Sequence, residues 1–260
     1  MPNAYPSTVT VGVGALTIEE VVAVARYGAT VEISAEALDE VASTRDRVEE
    51  LAQDPTPVYG ISTGFGALAR RHIPEEMRAQ LQLSLVRSHA AGTGPEVEEE
   101  VIRALMLLRL STLCTGRTGV RPVVVETYAK ALNAGIGPVV REYGSLGCSG
   151  DLAPLAHCAL ALLGEGEVRV NGELQDAGEA LAAAGIEPLQ LREKEGLALI
   201  NGTDGMLGQL CLAITDLRAA AKTADIATAM TVEGLLGTLV VFADDLQQLR
   251  PHPGQADAAA

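Results

Sequence analysis

Residues 95–115 read Pro-Glu-Val-Glu-Glu-Glu-Val-Ile-Arg-Ala-Leu-Met-Leu-Leu-Arg-Leu-Ser-Thr-Leu-Cys-Thr. Val97, Val101, Leu105 and Leu108 recur at spacings of four and three, which predicts a helix with an apolar face. Residues 74–89 and 121–134 carry the same spacing. Pro95 and Pro122 stand near the helix starts, where a missing amide hydrogen costs little. No alternation of strand and helix patterns and no internal repeat surrounds these segments. The expected fold class is therefore mainly α, a bundle of long helices.

Toward the N-terminus, residues 9–16 alternate weakly and suggest a short strand. Thr17-Ile-Glu-Glu20 is a capping box that should start a helix running to about Tyr27. Ser34 can cap a second helix through residue 52, apolar at Leu38, Val41, Val48 and Leu51. Residues 55–66, rich in Pro and Gly, should be loop. Toward the C-terminus, Asp151 is expected to cap a helix through about Leu163. Asn171-Gly172 marks a hairpin turn within Val168–Gln175. Long helices are expected from about Thr203 to Gln248.

This suggests a mixed helical N-terminal domain over residues 1–200 with a small hairpin. Residues 201–260 would begin a long-helix bundle. Pro251-His-Pro-Gly254 should end a helix, and the Ala-rich tail after it resembles the end of a truncated larger protein.

The 260 residues suffice for a sizeable core, with 48% hydrophobic and 20% charged side chains. Aromatics are 3% and Trp is absent, which argues against a stacking platform for single-stranded nucleic acid. The net charge of −15 opposes binding to phosphate backbones or an anionic membrane. It suits an acidic cytoplasmic protein. Cys114, Cys148, Cys158 and Cys211 form no C-x-x-C pair and no zinc spacing with His, so reduced thiols and no metal are expected. The N-terminus lacks the pattern of a signal peptide. No run of about 18 apolar residues occurs, so no membrane-spanning helix is expected.

Gly64-Phe-Gly-Ala-Leu-Ala69 matches G-x-G-x-x-A, but Pro55 and Pro57 spoil the required strand and residues 80–90 offer no acid. A mobile glycine loop is the better reading. Gly147-Cys-Ser-Gly-Asp151 departs from a nucleophile elbow at its fifth residue and lacks the βα context.

Gly144-Ser-Leu-Gly-Cys-Ser-Gly-Asp-Leu-Ala-Pro-Leu-Ala-His157 has a second possible use. Its three glycines imply a tight backbone at the positive end of a helix. Attack of the Gly150 nitrogen on the Cys148 carbonyl carbon, with loss of two waters, one from the Ser149 side chain, would leave a five-membered ring bearing a methylene. That ring is an electrophile no ordinary side chain supplies. A Gly-rich turn ahead of a helix is the alternative, and composition by itself favours it.

The same stretch resembles the signature of the aromatic amino-acid ammonia-lyases, with Cys148 in place of the usual Ala. Four other segments resemble that family in the same order. Tyr59-Gly-Ile-Ser-Thr-Gly-Phe-Gly66 is similar to its loop carrying a catalytic Tyr, and Arg87-Ser-His-Ala-Ala-Gly92 to its substrate-selecting segment. Asn201-Gly-Thr203 resembles the Asn that holds cofactor and substrate, and Leu249-Arg-Pro-His-Pro-Gly-Gln255 resembles a mid-chain stretch.

The resemblance implies a carbon–nitrogen lyase whose electrophile, 4-methylideneimidazole-5-one (MIO), arises from Cys148, Ser149 and Gly150. No metal or nucleotide is implied. Tyr59 would be the acid/base. A free phenol ionises near pH ~10, so the helix end and loop closure would have to make it more acidic. Ser88 and His89 would select a polar substrate ring, and Asn201 would bind substrate. Packing roles for Tyr59 and His89, and a turn role for Asn201, are the plainer alternatives. His72, His157 and His252 read as structural, and Cys114, Cys158 and Cys211 as inert.

Together these imply non-oxidative elimination of ammonia from L-histidine to give trans-urocanate, the first step of histidine degradation. Chemistry on tyrosine, as lyase or aminomutase, is the runner-up, and an inactive fragment the third reading. Asp204 stands where many family members show Gln. Family members also run to roughly twice this length, form homotetramers, and draw a further Tyr, an Arg and an acid from their remaining part.

Overall fold

The computed structural model describes residues 5–148 and 150–260. Its elements run β1 (Thr8–Val11), α1 (Ile18–Tyr27), β2 (Thr30–Ile33), α2 (Ala35–Gln53), α3 (Glu75–His89), β3 (Thr93–Glu96) and α4 (Glu99–Cys114). There follow α5 (Pro122–Asn133), β4 (Ile136–Pro138), β5 (Arg141–Tyr143), α6 (Leu152–Leu162), β6 (Glu167–Val170), β7 (Glu173–Asp176) and α7 (Ala177–Ala183). The chain closes with α8 (Glu195–Ile200), α9 (Asp204–Gly234), α10 (Asp244–Gln247) and α11 (Pro253–Ala259). The mainly helical class is as expected. Two compact units are present, one ending at Leu212 and one covering Ala213–Ala260.

Local chemistry explains the element starts. The Thr17 hydroxyl accepts from the Glu20 amide at 3.2 Å, and the Glu20 carboxylate accepts from the Thr17 amide at 2.7 Å, so both halves of the capping box form. Ser34 Oγ accepts from Ala37 N at 3.1 Å and starts α2. Asn171 and Gly172 both hold positive φ, 52° and 82°, which joins β6 to β7 through a turn whose twist matches the strands.

In the first unit α4 is the axis of the core. Ile102, Ala104 to Leu110, Leu113 and Cys114 are all buried, so this helix is covered on every side. It packs against α1, α2 and α5. Farther along, α3, α6 and α8 pack on one another and carry the candidate site.

Several expectations need correction. Residues 8–33 form a β–α–β unit whose strands pair in parallel, Thr8 with Thr30 through Val11 with Ile33. Pro95 lies in β3 rather than at a helix start, and α4 begins only at Glu99. The ladder of β3 with β5 is irregular between Thr93 and Glu96, and an imide without an amide hydrogen is tolerated there. The helix after Thr203 stops at Gly234, where Leu236 takes a φ of 55° and Gly237 N closes the end on Val232 O at 2.7 Å. The C-terminal stretch is helical from Pro253, which sits at the permitted first turn of α11.

The stretch Glu195–Gly234 is long and apolar enough to cross a membrane by length and composition, against the expectation of none. It is interrupted at Asn201–Thr203, and 39% of its most apolar window is buried inside the protein.

In the second unit, Leu217, Met230, Leu235, Leu236, Val240 and Leu249 are exposed.

Candidate active site

Tyr59 sits on a turn that the sequence folds tightly. The Val58 carbonyl accepts from the amides of Ile61, Ser62 and Thr63, and Ser62 Oγ accepts from Val58 N at 2.9 Å. Gly60 holds a φ of 73°, and a Cβ there would meet Leu197 Cδ2 at 3.0 Å and Phe65 Cε1 at 3.2 Å. Glycine at 60 therefore lets the turn lie against α8. The Tyr59 ring stands edge-on to Phe65, centroids 6.0 Å apart, and remains 47% exposed.

His89 closes α3. Its Nδ1 lies 2.9 Å from the Leu85 carbonyl, which can only accept, so Nδ1 carries the hydrogen and Nε2 is the acceptor of the neutral ring. Ser88 Oγ donates to the same carbonyl at 2.9 Å and lies 3.0 Å from His89 Nδ1. Ser88 thus steadies the imidazole and does not line the cavity described below.

The glycine-rich turn precedes α6. Gly147 and Cys148 both take positive φ, 62° and 61°, and Gly150 N donates to Gly147 O at 3.3 Å. For Cys148, a residue with a Cβ, this conformation costs about 1–2 kcal/mol. Ser149 lies outside the described residues. The Asp151 carboxylate does not cap its own helix, contrary to expectation. It accepts from Ser145 Oγ at 2.5 Å and from Met206 N at 3.0 Å, so it serves the first turn of α9 instead. Asp151 N donates to Gly202 O at 2.6 Å.

Asn201 links α8 to α9. Its amide donates to Leu197 O at 3.1 Å, and its carbonyl accepts from Arg109 Nη1 at 3.1 Å. Arg109, buried in α4, also donates from Nη1 to Asp204 Oδ2 at 2.8 Å and from Nη2 to Ala198 O at 2.7 Å. Thr112 Oγ1 donates to Asp204 Oδ1 at 3.0 Å.

These elements border an open cavity of about 410 Å³. Tyr59, His89 and Asn201 line it together, although they come from three separate segments. Leu85, Leu152, Leu197 and Ile200 give it apolar walls. Gly150 adjoins the cavity, since a Cβ there would lie 3.8 Å from Asn201 Oδ1 and 3.7 Å from Leu152 Cγ. Cys148 is exposed, whereas Cys114, Cys158 and Cys211 are buried. Burial pushes the Cys114 and Cys158 thiols up to about 12.

Sequence reading missed the Arg109–Asp204 pair and the true partners of Asp151. One signal was available: Arg109 interrupts an apolar run on a helix buried all round, and a charge there requires a partner.

The family model described as aromatic amino acid lyase matches residues 16–260. The chain is 62% identical over 254 residues to a histidine ammonia-lyase of Streptomyces coelicolor, covering 97% of this chain and 50% of that protein. It is 44% identical over 246 residues to an MIO-dependent tyrosine 2,3-aminomutase of Streptomyces globisporus, covering 94% and 46%. The crystal structure of histidine ammonia-lyase from Trypanosoma cruzi matches with a TM-score of 0.89 and 39% identity, covering 97% of this chain and 49% of that one. The chain spans about half the length of the curated relatives it matches. With five motifs in order, a shared fold and this breadth of identity, the chain belongs to the aromatic amino acid lyase family.

Proposed function

We propose that this chain supplies the electrophile and part of the substrate pocket of a histidine ammonia-lyase, which converts L-histidine to trans-urocanate and ammonia. The observation that carries the reading is the convergence of Tyr59, His89 and Asn201 on one cavity, with Gly150 against Asn201.

The residues present fit an MIO group. The turn is already tight, with Gly147 and Cys148 both at positive φ. Gly150 carries no Cβ to block the approach of its nitrogen to the Cys148 carbonyl. In the ring closure a bond forms between Gly150 N and Cys148 C, and the carbonyl oxygen leaves as water with the hydrogens of the Gly150 and Ser149 amides. A second water takes the Ser149 hydroxyl and its α-hydrogen, leaving a methylene. When in place, the group supplies an electrophile that draws electron density from the substrate.

The chain's own residues do the rest. His89 Nε2 accepts a hydrogen bond from the substrate imidazole, with its tautomer fixed by Leu85 O. Tyr59 takes the β-proton, the freed electron pair forms the C–C double bond, and the C–N bond breaks to release ammonia. Asn201 offers a neutral donor and acceptor beside the reacting carbons. Leu85, Leu152, Leu197 and Ile200 exclude water. The working protein is proposed to be a cytoplasmic homotetramer.

Tyrosine is the second reading, favoured by the identity to a tyrosine aminomutase and by the ability of an imidazole to bond a phenol. Intact mass together with ammonia release tests both. A chain two waters lighter than its sequence, unmodified in Ser149→Ala, with faster ammonia release from L-histidine than from L-tyrosine, is the expected result. Faster release from tyrosine would overturn the substrate assignment.

A further inference from the structure

We infer that Arg109, locked by Asp204, is the positioning residue that holds Asn201 against the Gly150 end of the triplet. This rests on the proposed function and extends it to residues that touch neither substrate nor cofactor.

Asn201, Gly202 and Thr203 are the whole connection between α8 and α9, and two of their carbonyls are held from outside. Arg109 Nη1 holds the Asn201 carbonyl at 3.1 Å, and Asp151 N holds that of Gly202 at 2.6 Å. The first tie comes from α4 and the second from Asp151, the residue that follows the triplet. Nη2 reaches the last turn of α8 through Ala198 O. The guanidinium therefore spreads its donors across the link, and Asp204 fixes its plane while Thr112 fixes Asp204.

Gly202 is what permits this. A Cβ at 202 would overlap both Arg109 Nη1 and Asp204 Oδ2. An ion pair that served stability alone could be formed by any cation near Asp204. Here the planar fork is needed, because Nη1 serves the carboxylate and the Asn201 carbonyl while Nη2 reaches the separate Ala198 carbonyl.

The test compares Arg109→Lys, Asp204→Asn and the milder Thr112→Val with the unaltered 260-residue chain. Two readouts are taken: the fraction of molecules two waters lighter, and hydrogen exchange of the peptide covering residues 198–206. Continued protection of Cys114 from alkylation shows that a variant is folded. Arg109→Lys and Asp204→Asn are expected to speed exchange in that peptide about tenfold, the change for one lost hydrogen bond, and to lower the cyclised fraction. Thr112→Val should do the same to a smaller extent.

Wild-type exchange and full cyclisation in a folded Arg109→Lys chain would mean that charge alone suffices, and would overturn the inference. Unchanged exchange in Asp204→Asn and Thr112→Val would overturn it equally. An unmodified mass in the unaltered chain would instead remove the cofactor reading, and the exchange measurement would still decide whether Arg109 holds Asn201.

Discussion

His157 Nε2 accepts a hydrogen bond from the Gly92 amide at 3.1 Å, which ties α6 to the segment just after His89. The bond requires a neutral imidazole. Burial, and then the nearby Arg141 charge, hold the His157 pKa below its ordinary 6.5. The unfolded chain takes up this proton as pH falls past about 6.5, while the native chain resists it. The stabilising contribution is therefore present above 6.5 and is lost as pH falls through the lower native value. Glu49 and Glu96, held below 4.5 chiefly by hydrogen bonds from Arg45 and Arg169, lose theirs only in stronger acid. Denaturant midpoints at pH 7.5, 6.5 and 5.5 should fall in the wild type and fall less in His157→Gln. Equal slopes would sink the assignment.

Gly202→Ala should expel the Arg109–Asp204 pair, because the added methyl occupies the space of both groups. Breaking a buried pair costs about 3–5 kcal/mol. Gly14→Ala, whose Cβ would meet nothing within 4 Å, should stay within about 0.5 kcal/mol of wild type. Urea unfolding of the two variants checks the contrast. Similar values would show that the link has room to relax.

Tyr59→Phe keeps the ring and its edge contact with Phe65 but loses the hydroxyl. Melting temperature should not change. Under the proposed function, turnover of L-histidine should drop by a factor of roughly a hundred or more, as for loss of a general base. A variant that retains turnover would show that the proton goes elsewhere.

Alkylation should distinguish the four thiols. Burial pushes the Cys114 and Cys158 thiols up to about 12 and raises that of Cys211, so little thiolate forms near neutral pH. Cys148 is exposed. Brief iodoacetamide treatment of the native chain should add one group, located at Cys148 by peptide mapping. A second adduct on Cys114 or Cys158 would mean that the core opens more readily than its packing suggests.

Features set by neighbours in the chain were legible from sequence. Thr17 and Glu20, Ser34 and the Asn171-Gly172 turn need only residues two or three positions away, and all appear where local chemistry put them. Features set by distant partners were not. The parallel pairing of Val9 with Val31 depends on α1 folding back between them. Asp151 looked like a cap for α6, yet a serine upstream and an amide of α9 compete for its carboxylate and win. At the site, Tyr59, His89 and Asn201 were found through resemblance, because no local pattern separates them from packing residues. Ser88 shared that resemblance, but its hydroxyl is turned back onto α3 by the Leu85 carbonyl.

The tie between Arg109 and Asn201 spans 92 residues of chain, and that between Asp151 and Gly202 brings a third segment to the same point. An incomplete nascent chain cannot make either contact. Under the proposed chemistry, a reactive alkene would then appear only in molecules whose distant segments have already met. Newly made or misassembled copies would carry an inert serine that cannot damage their surroundings, and the two lost waters would be a permanent record that folding had succeeded.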